Sequence, residues 1–443
     1  MSQQSILIQS KKFLKDAYIK KHKSNITYNP NYFLTSWADT IGYVNLKKFF
    51  KKKITISKKI KIILKEFISI HKDILKINEF SNLDNYDNLI MSYFFEKNLK
   101  KDGSYYDKYF SINTKSLKKT LWILIPITKN NNDFKTNPNI IILKRKNFNF
   151  FKVLLVSTYS FTKNLFKSYF YTKNENINFK NTKFSKTLAN IILDLVTEKS
   201  INNFIFPYEA QPHQHYLVNK LKEKKKIRVI GYMHTVIPPL PLDYLKREGH
   251  PDLLLVNGTE QKKILCQKLG WKKNEVKTIV SLRYKKNSPF NFNKNIFLPY
   301  FLENEKKMFN NFKKLIFMKK PGFFPKLRVR NHPSMYNSKR HLSLSKKIDE
   351  FIKIHKNYFK NSRENSNMCI FFGSSASVAE GLERGCKVFH ICSDPELEKF
   401  DKFYWSVIKT IKQSSNIFEY KIKNRSKIIR FNTLKENKFI PIY

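Results

Sequence analysis

The sequence predicts an α/β protein with two units, each built around a mostly parallel, doubly wound sheet. The chain has 443 residues, which is too long for one typical domain, and its hydrophobic content of 41% is enough for buried cores. After residue 120, short apolar runs alternate with longer amphipathic segments, which is the pattern of strands followed by helices. We therefore expect two such units that face each other across a cleft.

The first unit begins with a strand in the apolar run at 120–127. Further elements follow in order, with strands predicted at 151–157, 203–208, 227–232 and 252–258 and helices around 185–198 and 211–223. The segment 259–270 is typical of a helix that is capped by Asn257 or Thr259 and ends at Gly270. Loops after strands in such a sheet are the usual place for ligands.

The second unit repeats this alternation without an internal sequence repeat. Strands are predicted at 295–300, 326–333, 368–373 and 386–392, with helices over 302–315, 342–357 and 376–384. The basic, proline-containing stretch 281–294 indicates a linker between the units. The predicted division is a basic, mainly helical region over 1–115, a first α/β unit over 116–284 and a second over 285–443.

The formal net charge of +51 has two explanations that lead to different functions. Only eleven of the 85 basic residues are arginine, and the chain is rich in Asn, Ile, Phe and Tyr, which is the composition that AT-rich codon usage produces. We take codon usage as the main cause. A basic nucleic-acid-binding protein is the alternative, although no zinc-finger spacing, RNA-binding aromatic signature or sustained heptad is visible.

Cysteine usage and apolar segments predict a cytoplasmic protein. The four cysteines show no metal-ligand spacing, and Cys369, Cys386 and Cys392 lie in or beside apolar strand-like runs, as buried reduced thiols do. The N-terminus lacks the features of a secretion signal, and the apolar runs are shorter than a membrane span. The basic stretch 46–75 has helical spacing, so it either presents a solvated lysine face or contacts the inner face of a membrane.

Small residues crowd at 373–385, in a chain that has few glycines elsewhere. Gly373 follows a predicted strand and would let the backbone approach a ligand, while Ser374, Ser375 and Ser377 would add hydroxyl groups at the start of a helix. Glu380 lies one turn later and could bond ribose hydroxyls. This pattern predicts a phosphate site, and an ordinary serine-capped helix is the structural alternative.

Histidine, arginine and carboxylate side chains follow other predicted strands. Arg330 precedes the dipeptide His332–Pro333, and both side chains suit phosphate. Glu209 follows another strand and could act as a general base, as could His234 after the next strand. The nearby pair of His213 and His215 is a poor metal site, because residues two apart on a helix do not face each other.

The order of these motifs resembles that of a known enzyme family. The series comprises E-x-Q-P at 209–212, GYxHTVIPP at 231–239, DLLLVNG at 252–258, SLRY at 281–284, RxHP at 330–333 and GSSASVAEGLxxG at 373–385. It resembles glycosyltransferases of surface-carbohydrate and capsule polysaccharide biosynthesis, with the GT-B arrangement of two facing Rossmann-like domains. The HP and serine-rich elements are also similar to those of bacterial sialyltransferases and Kdo transferases.

This resemblance covers roughly 200–395 and implies an inverting, metal-independent transfer. The first Rossmann-like domain would bind the acceptor, a surface polysaccharide or lipid-linked glycan, and the second would bind a nucleotide-sugar donor carrying a CMP-activated sialic acid- or Kdo-like sugar. The resemblance implies that Glu209 is the base and that His332, Ser374 and Ser375 bind the nucleotide. From the residue patterns, His234 joins Glu209 as a predicted catalytic residue, and the predicted nucleotide-binding set also includes Arg330, Pro333, Gly373, Ser377 and Glu380.

Gln211 and Arg283, which lie in two of these motifs, are predicted substrate contacts, and no cofactor beyond the donor is expected. One departure concerns the base, because sialyltransferases commonly have two acidic residues and a glycine where this chain has Tyr208, Glu209 and Ala210. A polyol-phosphate transferase and a non-hydrolysing sugar-nucleotide epimerase remain alternatives on the same fold. The expected partners are the donor, the acceptor and an anionic membrane surface, with no specific nucleic acid.

Overall fold

The structure is a computed structural model of the chain. It describes residues 2–12, 74–76, 86–126, 134–146, 182–197, 201–224, 227–287, 294–302, 304–359, 367–423 and 427–433. The predicted strand at 151–157 and nearly all of the basic stretch 46–75 lie outside the described residues.

Seventeen strands are described. In chain order they are β1 (Ile74–Lys76), β2 (Asn88–Phe94), β3 (Tyr106–Asp107), β4 (Ile112–Asn113), β5 (Thr120–Pro126), β6 (Ile140–Ile142), β7 (Lys144–Lys146), β8 (Asn203–Pro207), β9 (Arg228–Tyr232), β10 (Leu253–Val256), β11 (Val276–Thr278), β12 (Asn295–Phe297), β13 (Arg328–Arg330), β14 (Met368–Phe372), β15 (Lys387–Ile391), β16 (Ile408–Ser414) and β17 (Ile417–Ile422).

The described α-helices are α1 (3–12), α2 (Thr182–Thr197), α3 (Pro212–Lys224), α4 (Thr259–Lys268), α5 (Glu305–Phe317), α6 (Lys339–Ile354), α7 (Ser377–Glu383) and α8 (Pro395–Glu398). Short 3-10 turns lie at Glu96–Asn98, Thr114–Ser116, Leu242–Tyr244, Lys273–Glu275, Pro333–Met335 and Lys356–Tyr358.

The first sheet has seven parallel strands in the order β11-β10-β9-β8-β2-β5-β6. The chain starts at β2 in the middle and adds β5 and β6 on one side. It then returns to place β8, β9, β10 and β11 on the other side. The connections therefore diverge between β2 and β8, and such a switch point leaves a crevice at the carboxyl ends of the strands.

The central strands of this sheet are apolar on both faces. In β2, Leu89 and Met91 contact one hydrophobic cluster, while Ile90 and Phe94 contact the cluster on the opposite face. Alternation with a period of two, and burial on both sides, is the arrangement of a sheet covered by further layers.

The second sheet has six strands in the order β13-β12-β14-β15-β17-β16. The first four are parallel, and the hairpin of β16 and β17 adds an antiparallel edge. Here the chain starts at β12, places β13 on one side and β14 on the other, so the switch point lies between β12 and β14. Two parallel-sheet units with helices confirm the predicted α/β fold class.

The prediction of a mainly helical region over 1–115 is wrong for its described part beyond α1. Strand β2 lies in the middle of the first sheet, and β3 and β4 form a small hairpin after it. The stretch NLIMSYF at 88–94 is a short continuous apolar run, which is the sequence pattern of a fully buried strand. The first sheet therefore includes chain that precedes residue 116.

The two units share one hydrophobic core. A single cluster contains Leu254 and Val256 of the first sheet together with Phe371 and Val388 of the second. A further contact links the proline-rich loop after β9 to the second unit, where the indole nitrogen of Trp405 donates to the carbonyl oxygen of Pro239 at 3.2 Å.

Residues 427–433 return from the second unit to the first. The amide of Arg430 donates to the carbonyl oxygen of Asn257 at 2.6 Å, and the side chain of Gln261 donates to the carbonyl oxygen of Ile428 at 2.9 Å. In the second unit, the carboxylate of Glu383 accepts from the amides of Ile428 and Ile429. This segment connects α7 to the start of α4.

The predicted caps of α4 are wrong. The N-cap residue is Gly258, and Asn257 uses its side chain elsewhere, donating to the carbonyl oxygen of Met233 at 2.7 Å. A Cβ atom on Gly258 would lie 1.9 Å from the carbonyl oxygen of Ile428, so glycine is required for close approach of the backbone. The end of the helix agrees with prediction, since Gly270 follows it with a φ of +83°.

Two further findings concern the cysteines and membrane-spanning helices. Cys369, Cys386 and Cys392 are buried and reduced, as expected. A bilayer-spanning helix is not found among the residues that the structure describes.

We expect Gly258→Ala to separate residues 427–433 from the first unit. Since the φ of Gly258 is extended, the cost arises from the overlap with Ile428. The free energy of unfolding should fall by roughly 2 kcal/mol or more, measured by urea denaturation, as expected for overpacking of a buried site.

Gly270→Ala is the matched control, because its positive φ costs about 1 kcal/mol while the nearest atom is 3.7 Å away. A smaller loss in Gly258→Ala than in the control would contradict this account of the contact.

Candidate functional site

Side chains gather at the switch point of each sheet. We call the first group the carboxylate half-site, which comprises Glu209, Gln211, His234, Tyr93 and Tyr109. Glu209 and His234 each lie two residues beyond the end of their strands, β8 and β9, which pair in parallel. Tyr93 belongs to β2, on the other side of the same switch point.

The turn that carries Glu209 is fixed by the side chain of Gln214. Its oxygen accepts from the amides of Glu209 and Gln211 at 3.0 and 3.1 Å, and its nitrogen donates to the carbonyl oxygen of Pro207 at 2.8 Å. Between these residues, Ala210 has a φ of +54°, a left-handed conformation that costs a non-glycine residue about 1–2 kcal/mol. Such local strain, compensated by surrounding bonds, is typical of functional sites.

Further buried polar groups form hydrogen bonds that support this turn. A guanidinium nitrogen of Arg247 donates to the carbonyl oxygen of Ala210 at 3.2 Å and contacts Nε2 of His215 at 2.9 Å. The other ring nitrogen of His215 contacts the carbonyl oxygen of Gly249 at 3.1 Å. His215 therefore supports the turn, while His213 is buried separately and burial lowers its pKa to about 4.

Glu209 has an environment that suits proton transfer near neutral pH. Burial raises the pKa of Glu209 to about 7, although the hydrogen bond from Gln211 and the charge of Arg283 act in the opposite direction. Its side chain is still 13% exposed, so a ligand in the crevice can reach the carboxylate. The side-chain nitrogen Nε2 of Gln211 donates to Oε2 of Glu209 and orients the carboxylate. The predicted substrate contact of Gln211 stays a prediction.

His234 is a neutral neighbour of this carboxylate. Its Nε2 lies 3.4 Å from Oε1 of Glu209, and burial, together with the charge of Arg283, keeps the pKa of His234 well below its usual range. A neutral imidazole can donate one N–H to Glu209 without forming an ion pair. Nδ1 of His234 is buried and has no hydrogen-bond partner in the described part of the chain.

Tyr109 completes this half-site and is not among the site residues predicted from the sequence. Its ring meets the ring of His234 edge to face at a centroid distance of 4.5 Å and lies 5.2 Å from that of Tyr93. The carboxylate of Asp107 positions it by accepting from the amides of Tyr109 and Phe110, both at 2.8 Å. An aspartate before two aromatics could have indicated this turn, but 1–115 was expected to be helical.

The second group, the serine half-site, comprises Tyr300, His332, Gly373, Ser374 and Ser375. These residues follow β12, β13 and β14, three adjacent parallel strands whose carboxyl ends lie together. The rings of Tyr300 and His332 meet edge to face at 5.3 Å. The structure therefore brings the predicted HP and serine elements to one edge of the sheet and adds Tyr300, which the sequence analysis did not select.

The packing around Gly373 explains why this position is a glycine. Its φ is +59°, and a Cβ atom would lie 3.0 Å from Pro299 and 3.1 Å from Met308. The carbonyl oxygen of Gly373 bonds Nε2 of His390, a fully buried residue whose Nδ1 contacts the hydroxyl of Tyr420 at 3.0 Å. This chain of bonds fixes the start of the serine loop.

The serine hydroxyl groups differ in their bonding. Oγ of Ser375 accepts from the amide of Ser377 at 3.3 Å, whereas Oγ of Ser374 is buried without a partner among the described residues. The N-cap residue of α7 is Ala376, which offers no side-chain cap, while Ser377, whose amide bonds Ser375, is the first residue of the helix. The alternative of a serine-capped helix is therefore not overturned. Glu380 forms an ion pair with Arg384 at 2.9 Å.

The remaining predicted nucleotide contacts lie at the end of β13. Nε of Arg330 donates to the side chain of Asn295 at 3.1 Å, and Pro333 is exposed. Burial, with smaller contributions from Arg283 and His341, lowers the pKa of His332 to about 4. His332 is therefore neutral at pH 7 and can offer an N–H donor to a phosphate, but not a positive charge.

Arg283 connects the two half-sites. It lies between the units, and its charge lowers the pKa both of Glu209 and of His332. Its charge therefore acts on a residue of each half-site, while the cleft expected between the units stays a prediction. Within the part of the chain that is described, His, Cys, Asp and Glu side chains do not form a group of three or more that could ligate a metal ion.

We expect Glu209→Gln to stabilise the protein in a pH-dependent way. The raised pKa means that folding favours the protonated acid, so its contribution to stability is present below about pH 4.5 and is lost as pH rises through about 7. The gain in free energy of unfolding over wild type should be about 2 kcal/mol larger at pH 8 than at pH 5, measured by urea denaturation.

The exposed Glu350→Gln is the control for removing one carboxylate. A gain in Glu209→Gln that is the same at both pH values would contradict burial as the source of the shift.

Comparisons with solved structures include a distant likeness to a glycosyltransferase. The chain is similar to the crystal structure of a glycosyltransferase from Rickettsia africae, with 13% sequence identity, a TM-score of 0.34, and coverage of 73% of this chain and 89% of that chain. No family model matches the sequence, and no curated protein matches it. At this TM-score the likeness carries no argument about function.

Proposed function

We propose that this chain is a glycosyltransferase that moves a sugar from a nucleotide-activated donor to a glycan acceptor. The observation that carries the proposal is Glu209, a largely buried carboxylate at a switch point with a pKa of about 7. A general base works best when its pKa lies near the working pH. The serine half-site supplies hydroxyl and imidazole donors on the opposite side of the cleft.

In this proposal the donor nucleotide lies at the serine half-site. Ser374, whose hydroxyl has no partner within the described chain, and Ser375 donate to phosphate oxygens, as does the neutral imidazole of His332. Arg330 adds charge at the end of the neighbouring strand. The motif resemblance favours a CMP-activated sialic acid- or Kdo-like sugar, with Gly373, Ser377, Pro333 and Glu380 shaping the nucleotide pocket.

Transfer is then a single displacement that inverts the anomeric carbon. Glu209 accepts the proton of the acceptor hydroxyl as its oxygen bonds to the anomeric carbon, and the bond from that carbon to the phosphate oxygen breaks. The leaving phosphate keeps the electron pair and is stabilised by fixed donors of the serine half-site. His234 and Gln211 position Glu209, and Tyr109 provides an aromatic wall beside them.

The acceptor in this proposal is a surface polysaccharide or a lipid-linked glycan. An anionic membrane surface attracts a chain with a formal charge of +51, which would keep the enzyme near lipid-linked acceptors on the cytoplasmic side.

Glu209→Gln should abolish most of the transfer while leaving donor binding intact. Removing a general base costs about 10²- to 10⁴-fold in rate. The assay is CMP release from CMP-activated sugars in the presence of a glycan acceptor panel, with Glu350→Gln as the control. In wild type, kcat/KM should rise with pH through about 7, as Glu209 loses its proton. A variant that retains the wild-type rate would exclude Glu209 as the base.

Nucleotide binding should depend on His332. In a thermal-shift panel of CMP, CDP, UDP, GDP and dTDP, we expect CMP to stabilise wild type selectively, by roughly 2.7 kcal/mol at 100 times its Kd. His332→Ala should lose this shift, whereas His355→Ala, at the far end of α6, should retain it. A preference for another nucleotide would change the donor class, and no response to any of them would contradict the enzyme proposal.

A further inference from the structure

Arg283 lies in a connection that is hydrogen-bonded to both units. On one side, the amide of Leu282 donates to the hydroxyl of Tyr232 at 3.1 Å, and Tyr232 ends the strand that leads to His234. On the other side, Arg384 donates to the carbonyl oxygen of Lys285 at 3.1 Å. The guanidinium of Arg384 also pairs with Glu380 of α7. These bonds hold residues 282–285 beside the end of β9 on one side and beside Arg384, which follows α7, on the other.

The backbone at Arg283 is fixed, and its side chain is directed outward. Oγ of Ser281 accepts from the amides of Arg283 and Tyr284 at 3.2 and 2.9 Å, and the neighbours Leu282 and Tyr284 are buried. Arg283 itself is exposed. Its guanidinium has one described side-chain contact, the ring of Tyr284 at 5.8 Å, and no carboxylate forms an ion pair with it among the described residues.

The groups around Arg283 leave its positive charge largely uncompensated. Glu380 is paired with Arg384, and Glu209 is only partly ionised at pH 7 because burial raises its pKa to about 7. His234 and His332 are neutral at this pH, since burial lowers the pKa of each. An exposed guanidinium held in this setting has open donors for an anion.

We propose that Arg283 binds an anionic oxygen group of the substrate, a phosphate or a carboxylate, where the substrate passes from one half-site to the other. The inference rests on the proposed function in taking that substrate to be an activated sugar. A guanidinium matches the two oxygens of a phosphate or carboxylate with two parallel N–H donors, which a lysine cannot do. Arg283 thus selects substrates that carry negative charge at the middle of the cleft.

The test compares charged and neutral probes on the full chain by isothermal titration calorimetry. CMP against cytidine isolates the phosphate, and N-acetylneuraminate against its methyl ester isolates the carboxylate. Wild type should bind the charged member of at least one pair about ten- to a hundredfold more tightly, the range expected for a charged hydrogen-bonded contact. The pair whose difference is lost in Arg283→Gln identifies the source of the anion, because the serine half-site also contributes to phosphate binding.

Arg283→Gln should lose this charge preference, and Arg283→Lys should recover only part of it. Arg228→Gln is the matched control, because Arg228 is exposed at the opposite end of a strand of the first sheet. A preference that survives in Arg283→Gln, or a wild type with no preference in either pair, would overturn the inference.

Sugar transfer, measured in parallel, separates this inference from the proposed function. If wild type transfers no sugar, and Arg283→Gln still loses the charge preference that wild type shows, the anion site is supported and the transferase is contradicted. Normal transfer and an unchanged KM for the donor in Arg283→Gln would support the transferase and contradict the anion site.

Discussion

The site of this protein depends on one constraint of topology, the switch point that each sheet contains. Parallel strands wound outward from a central strand leave a crevice at their carboxyl ends, where the connections diverge. In the first sheet this point lies between β2 and β8, and in the second between β12 and β14. Glu209 and Ser374 each follow a strand at such a point, so the topology brings both groups to crevices before any side-chain contact is considered.

Burial then determines the chemistry of these positions. Desolvation raises the pKa of Glu209 and lowers that of His234 and His332. These three side chains therefore carry less charge near neutral pH than the same groups would carry in water. Keeping a carboxylate in this state costs stability, and the bonds from Gln214 and Arg247 to the strained turn compensate for it locally. A site with few ionised groups of its own favours an anionic ligand opposite the exposed Arg283, because little in the cleft competes for that charge.

The sequence was sufficient for much of the fold and for the position of the motifs. Apolar runs located β5, β8, β9, β10, β14 and β15, because buried parallel strands are short and continuously hydrophobic. The same rule applied to NLIMSYF would have located β2, but the lysine-rich surroundings favoured a helical interpretation of that region.

Tertiary contacts account for what the sequence could not provide. Gly258 caps α4 only because Ile428, 170 positions later, packs against it. Tyr109 reaches His234 through a hairpin that no local pattern indicates. In the sequence His390 is only part of an apolar strand, whereas in the structure it bonds and fixes the carbonyl of Gly373.

The most direct test of the account is a crystal structure of the full chain with an inert fluorinated analogue of a CMP-activated sugar. We predict the nucleotide phosphate beside Ser374 and His332 and the anomeric carbon facing Glu209; a ligand bound away from both half-sites would contradict the account.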